Sequence, residues 1–182
     1  MNIIIETERL ILRPLRASDL DRLVAALNNF NVSQNTARIP FPYTRADADA
    51  FLALTQQAPP GMLRLTIMRK DNPDTVCGGI GYEPAEGNAE LGYWLAEHEW
   101  GKGFGGEAAR AMTDHAFRVA QYEMLTAGYR IGNEASRRIL ARLGFTPTVE
   151  VMTYSKGAGA EVPVMRMELS CAEWQSSGGR ER

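Results

Sequence analysis

The chain has 182 residues, 45% hydrophobic and 23% charged, with a formal net charge of −2; this is one domain's length, able to bury about 70% of its unfolded surface unaided. No apolar run approaches the ~18 residues of a membrane span, and the absence of a long basic run argues against nucleic acid as the main partner. Two cysteines, Cys77 and Cys171, and two histidines, His98 and His115, exclude a disulfide framework, a zinc site and a His-rich metal centre, so no metal is expected.

The opening MNIIIETERL lacks the basic and apolar regions of a signal peptide, which makes the cytoplasm the expected location. RLILRPL alternates as a strand does, and Pro14 closes it. ASDLDRLVAALNN then reads as a helix, with Ser18 as its cap, Asp21 as a weak reciprocal partner, and Leu20, Leu23, Val24 and Leu27 in one stripe. FNVSQNTARIPFPY is a polar, proline-broken loop carrying Phe41 and Tyr43. Thr44 caps a second helix, RADADAFLALTQQ, which ends before Pro59 and Pro60.

The period then changes. LRLTIMRK, TVCGGIGYE and AELGYWLA read as strands joined by turns at DNPD and PAEGN. Such short connections exclude parallel crossovers, so these strands form an antiparallel meander. It leads to four glycines, Gly101, Gly103, Gly105 and Gly106, and a helix with Ala108, Ala109, Met112, Ala116, Val119 and Ala120 on one face. YEMLTAGY is a further strand. Asn133 caps the helix EASRRILARL, Gly144 ends it in the left-handed region, and Phe145 supplies the hydrophobic contact of that ending. TPTVEVMTYS and EVPVMRMEL are the last strands, around the turn KGAGA. Residues 1–170 are expected to form a single domain, and residues 171–182 a mobile tail.

The loop's GxGxxG pattern suits a dinucleotide only at the tip of a parallel strand in a βαβ unit, and here it follows a meander. A P-loop fails as well, because Lys102 lies among the glycines and Glu107 stands where Ser or Thr would bind magnesium. Two readings remain. The glycines merely permit a tight turn and close helix packing, or the amides and dipole of the following helix hold a pyrophosphate.

ELGYWLAEHEWGKGFGGEAARAMTDHAF resembles motif A of the GNAT acetyltransferases, in the style of the RimJ/RimL ribosomal-protein N-acetyltransferases. NEASRRILARLGF resembles their second signature, and ETERLILRPLRASDLDRL their opening strand and helix. The resemblance implies an α/β fold of the GNAT type: a mixed, largely antiparallel sheet of about six to seven strands flanked by about four helices. Acetyl-CoA would lie between two splayed parallel strands. The pyrophosphate loop would be Trp100, Gly101, Lys102, Gly103, Phe104, Gly105 and Gly106, with Trp100 departing from the usual Gln or Arg.

The implied activity is N-acetylation of a primary amine, at a protein N-terminus or on a small molecule, by direct attack in a ternary complex. An alternative on the same fold is a catalytically weak acyl-CoA-binding sensor or interaction module. A lysine amine needs roughly 4 to 5 kcal/mol to be neutral at pH 7, whereas an α-amine needs only about 1. Glu90 resembles a family position that takes this proton; its alternative is an ordinary strand-end carboxylate. An amide near Trp94 or Leu95, freed by the splay, would stabilise the thioester oxygen. The family's acid tyrosine matches Leu140, so Ser136 is the substitute to test, against a plain first-turn serine. Asn133 is a cap and a candidate coenzyme contact. His115 reads as a packed, hydrogen-bonded histidine. The loop from Asn28 to Tyr43, with Phe41, Tyr43, Trp94 and Trp100, is the expected source of acceptor specificity. A homodimer would accord with similar proteins.

Overall fold

The computed structural model describes residues 3–85 and 88–178. Its strands are β1 (Ile5–Glu6), β2 (Leu10–Arg13), β3 (Leu63–Arg69), β4 (Asn72–Ala85), β5 (Asn88–Leu95), β6 (Met124–Arg130), β7 (Thr146–Ser155) and β8 (Ala160–Ser170). They form one sheet in the order β1-β2-β3-β4-β5-β6-β8-β7. Every neighbouring pair is antiparallel except β5 and β6. The helices are α1 (Leu20–Leu27), α2 (Phe30–Ser33), α3 (Arg45–Gln56), α4 (Phe104–Arg118), α5 (Glu134–Leu143) and α6 (Cys171–Ser176).

Alternation along the strands sends side chains to two cores. On one face Leu65, Ile67, Ile80, Leu91, Leu125 and Ala127 pack under Ala108, Ala109 and Met112 of α4 and Leu140 of α5. On the other, Met68 and Val76 meet Leu20, Leu23 and Leu27 of α1 and Ala48 of α3. The result is a three-layer arrangement, with the sheet between two helical layers. Each large apolar side chain so covered contributes about 1.5–3 kcal/mol.

The architecture matches the expected class, with slightly more elements. The added strand is the two-residue β1, and the added helices are the short α2 and α6. The helix expected from residue 17 begins as a 3-10 turn, Ala17–Asp19. Ser18 does not cap it and Asp21 is not its reciprocal partner; instead the Asp19 carboxylate reaches back to accept from the Arg16 amide at 2.8 Å, closing the 3-10 turn, and is held by the Arg13 guanidinium at 2.7 and 2.9 Å. The turn assigned to DNPD lies one step earlier, since Arg69 pairs with Asn72 around Lys70 and Asp71. The turn expected at PAEGN includes residues 86 and 87, which lie outside the described residues.

Thr44 caps α3 as its sequence implies, in a reciprocal box with Asp47. Val119 departs from the helix face assigned to it: α4 ends at Arg118 and Val119 is 66% exposed. The stretch expected to be a mobile tail begins as α6. Ser170 and Glu173 form its capping box, and Trp174 is 3% exposed against Phe117. Residues 179–182 of that tail lie outside the described residues.

Candidate active site between two parting strands

The parallel pairing of β5 and β6 is short. It joins Ala89 to Leu125, Glu90 to Thr126 and Leu91 to Ala127. Beyond these residues β5 stays on β4, from Gly92 opposite Gly81 to Leu95 opposite Gly78, while β6 stays on β8 from Gly128 opposite Arg166 to Arg130 opposite Val164. A wedge opens between them. Antiparallel partners alternate in where their amides point. The Ala96 amide bonds the Cys77 carbonyl at 2.8 Å, so in the same register Trp94 and Gly92 face β4, and Tyr93 and Leu95 face the gap. This corrects part of the sequence expectation: the amide available to a ligand belongs to Leu95 or Tyr93, whereas that of Trp94 serves the ladder. The Leu95 carbonyl is taken by the Trp100 indole N–H at 3.0 Å.

The glycine loop lies at the mouth of this wedge. Gly101 and Gly103 have φ of 76° and 84°, values that L side chains tolerate poorly. The first bond of α4 runs from the Glu107 amide to the Gly103 carbonyl at 3.2 Å. The amides of Phe104, Gly105 and Gly106 therefore precede any intrahelical acceptor. A Cβ built on Gly101 or Gly106 would meet nothing within 4 Å, whereas one on Gly105 would meet Ile139 at 3.1 Å and Leu95 at 3.3 Å. The first two glycines leave open space for a ligand. Gly105 serves packing.

An unforeseen brace holds this loop to the turn between β1 and β2. Glu107 accepts from the Thr7 hydroxyl at 2.6 Å, the Arg9 amide at 2.8 Å and Arg9 Nε at 2.7 Å. Arg9 also donates to the Lys102 carbonyl at 3.0 Å and lies over the Phe104 ring. Burial pushes the Glu107 carboxyl up, but the Thr7 and Arg9 bonds more than offset it, so its pKa lies below the usual value. Lys102 is folded back, its Nζ 2.9 Å from buried Glu99.

Of the two catalytic candidates, Glu90 is half-buried beside the paired part of β5 and β6, ion-paired with Arg166 at 2.5 Å. It is thus not the plain solvent-facing carboxylate of the alternative reading. Ser136 stands in the first turn of α5, where its amide donates to Asn133 Oδ1 at 3.1 Å. Its hydroxyl meets the Tyr93 hydroxyl at 2.9 Å. Sequence reasoning missed Tyr93; its place in AELGYWLA, two residues from Leu91 and Leu95, signals only that it shares their face. Burial pushes its phenol up to about 12. Leu140 is fully buried in the core, away from any acid role.

The loop over residues 28–43 covers the opposite side of the wedge. Tyr43 is buried in the second core and Trp94 packs against it. Phe41 is exposed, edge-on to Phe30, and does not line the cleft. Trp94, Trp100 and Tyr43 line one continuous cleft with the glycine loop, Glu90 and Ser136, about 1870 Å³ in volume. This exceeds the ~300–1,000 Å³ of a single small-ligand site and leaves room for two reactants. His115 lies outside the cleft, its Nδ1 3.1 Å from the Tyr82 hydroxyl, a packed and hydrogen-bonded histidine as its sequence context implies.

Comparison with known proteins points in one direction. The model of the acetyltransferase (GNAT) domain matches residues 9–146. Among curated proteins, uncharacterized N-acetyltransferase p20 of Bacillus licheniformis is 27% identical over 171 residues, covering 92% of this chain and 96% of its own. Among solved structures, a GNAT-family acetyltransferase from Bacillus anthracis superposes with a TM-score of 0.80 at 17% identity, covering 94% of this chain and 100% of that one. RimL, a ribosomal L7/L12 α-N-protein acetyltransferase solved with coenzyme A, gives a TM-score of 0.78 at 19% identity, covering 94% and 99%.

Proposed function

Because the chain belongs to the GNAT acetyltransferase family, we propose that it carries an acetyl group from acetyl-CoA to a primary amine, with both reactants held in the one cleft. The observation that carries this reading is the parting of β5 and β6 after Leu91 and Ala127, beside a helix tip whose glycines leave open space. The site's own residues fit the coenzyme. The amides of Phe104, Gly105 and Gly106, with the positive end of the α4 dipole, suit a pyrophosphate. The outward amide of Leu95, nearer the glycine loop, suits a carbonyl group of an extended pantetheine arm.

Acetyl-CoA supplies the activated acyl group. Glu90, held by Arg166, receives the ammonium proton directly or through a water. An α-amine asks about 1 kcal/mol of such a base at pH 7, against roughly 4 to 5 for a lysine, which favours a peptide N-terminus or a weakly basic small amine. The Tyr93 amide, deeper in the wedge, donates to the acyl oxygen. As the tetrahedral intermediate collapses, the proton still carried by the acylated nitrogen passes by way of the Ser136 hydroxyl to the departing thiolate, so Ser136 ends as it began, and the Tyr93 phenol beside it, raised to about 12, stays protonated as its hydrogen-bond partner.

Thiol release from acetyl-CoA with a panel of primary amines tests the proposal, alongside a melting shift with CoA. At 100 times Kd the shift corresponds to about 2.7 kcal/mol. Turnover with one or more amines supports the transferase. Stabilisation by CoA with no turnover on any amine points instead to an acyl-CoA-binding module. Stabilisation by NAD(H) and not by CoA removes the reading.

A further inference from the structure

Resting on the acetyl-transfer reading, we propose that the acceptor carries a carboxylate close to its primary amine, and that Arg130 recognises that carboxylate. Strand register puts Arg64, Glu83, Glu90, Arg130 and Arg166 on the same face of the sheet, opposite α4 and α5. Arg38 joins them from the loop over residues 28–43, bonded to Glu83. With Glu168, paired with Thr126 on that same face, four guanidiniums face three carboxylates, an excess of one positive charge. Glu83 is also bound by Arg64 at 2.9 Å, and Glu90 by Arg166 at 2.5 Å. Both of these carboxylates are already neutralised.

Arg130 differs. Its Nη1 donates to the main-chain carbonyl of Gln34 at 3.1 Å and to the Gln34 side-chain oxygen at 2.9 Å, both neutral acceptors. Among the described residues no carboxylate forms an ion pair with it. A half-buried guanidinium fixed at one nitrogen, with Nε and Nη2 still able to donate, is a preorganised fork for an anion.

Arg130 lines the same cleft as Gly92, where a Cβ would meet nothing within 4 Å, whereas the floor at Gly128 is closed by Val164 Cγ1 at 3.0 Å and the Arg166 side chain at 3.6 Å from a Cβ built there. The roof is fixed as well, since the Ser155 hydroxyl bonds the Thr36 carbonyl at 2.7 Å and the Lys156 amide bonds the Ala37 carbonyl at 2.9 Å. A bare ammonium entering here meets net positive charge. An amine with a carboxylate a few bonds away balances it, and the surrounding cations favour the neutral, nucleophilic form of the amine.

The same chemistry is offered by a free α-amino acid and by a peptide whose first residues are acidic. Two matched pairs separate these sources: amino acids against their amides, and a peptide amide beginning Ser-Asp against its Ser-Asn counterpart. In at least one pair, the carboxylate member is expected to show a KM lower by about tenfold or more, the scale of a charged hydrogen bond. Arg130→Gln should bring that ratio near one, and Arg130→Lys should restore part of it, while the CoA-induced melting shift persists. The same pairs titrated calorimetrically into CoA-loaded protein read recognition without turnover, so failure of the transfer reading does not hide the answer. Equal KM and equal binding within both pairs, or an unchanged ratio in Arg130→Gln, overturns the proposal.

Discussion

A side chain added at Gly106 and one added at Gly103 would do different things, although both glycines belong to one motif. Gly103 has φ of 84°, and its Cβ would lie 3.2 Å from Arg9 Nη2, so substitution strains the backbone by about 1–2 kcal/mol and disturbs the brace to the turn between β1 and β2. Gly106 is helical and opens on empty space. Gly106→Val is therefore the cleaner probe: a CoA affinity at least tenfold weaker, with a melting temperature changed by no more than a few degrees, is expected from calorimetry and thermal melting together. Unaltered affinity would take the loop out of the site. Ser136→Ala is expected to lower kcat by about tenfold or more with little change in KM, because a leaving-group acid acts only as the thiolate forms; equal kcat in steady-state assays would return Ser136 to an ordinary first-turn serine. The glycines, Asn133 and Ser136 could be singled out as candidates in the sequence because their motif is local. Arg166 and Arg130 were not, since each meets its partner across long separations, to Glu90 and to Gln34.

At the level of elements, local capping chemistry read well where the cap bonds its own helix. Asn133 accepts from the Ser136 amide, and Asn133→Ala should cost about 1 kcal/mol, lowering the melting temperature by roughly 2–4 °C, as thermal unfolding would register. A variant that melts with the parent would mean that neighbouring packing alone holds the turn. At α1 the same reasoning chose Ser18, whereas the carboxylate that closes the first turn is that of Asp19, reaching back to the Arg16 amide while Arg13, from β2, pulls it inward. Burial pushes the Asp19 carboxyl up, yet the bonds to Arg13 and Arg16 hold its pKa below the ordinary value. That partner belongs to another element, and no local pattern announces it. The short helices α2 and α6 escaped for a related reason: four and six residues are too few for a periodic signal.

For the molecule as a whole, acid sensitivity should appear first at His115. Burial depresses its pKa below the ordinary value, so the unfolded chain, with histidine near ~6.5, binds the proton more readily than the folded one. The stability contributed by neutral His115 is complete above that value and is lost as pH falls toward the depressed one. Melting temperature should decline as pH falls below about 6.5, the ordinary histidine value, and His115→Gln should flatten that decline; parallel pH profiles for the two proteins would assign the loss elsewhere. Asp19, Glu83 and Glu107 are also held low, so their share is lost only at lower pH, below the ~4 of ordinary carboxyls.

Period and punctuation in the chain determined the seven longer strands, the four longer helices, the antiparallel meander and the position of the glycine loop, because each of these follows from side chains within a few residues of one another. Tertiary structure alone decided how far β5 and β6 remain joined, which of their amides turn into the gap, and which charges gather above it. Those features depend on register between distant strands, and a shift of one residue would send every one of those groups to the other side.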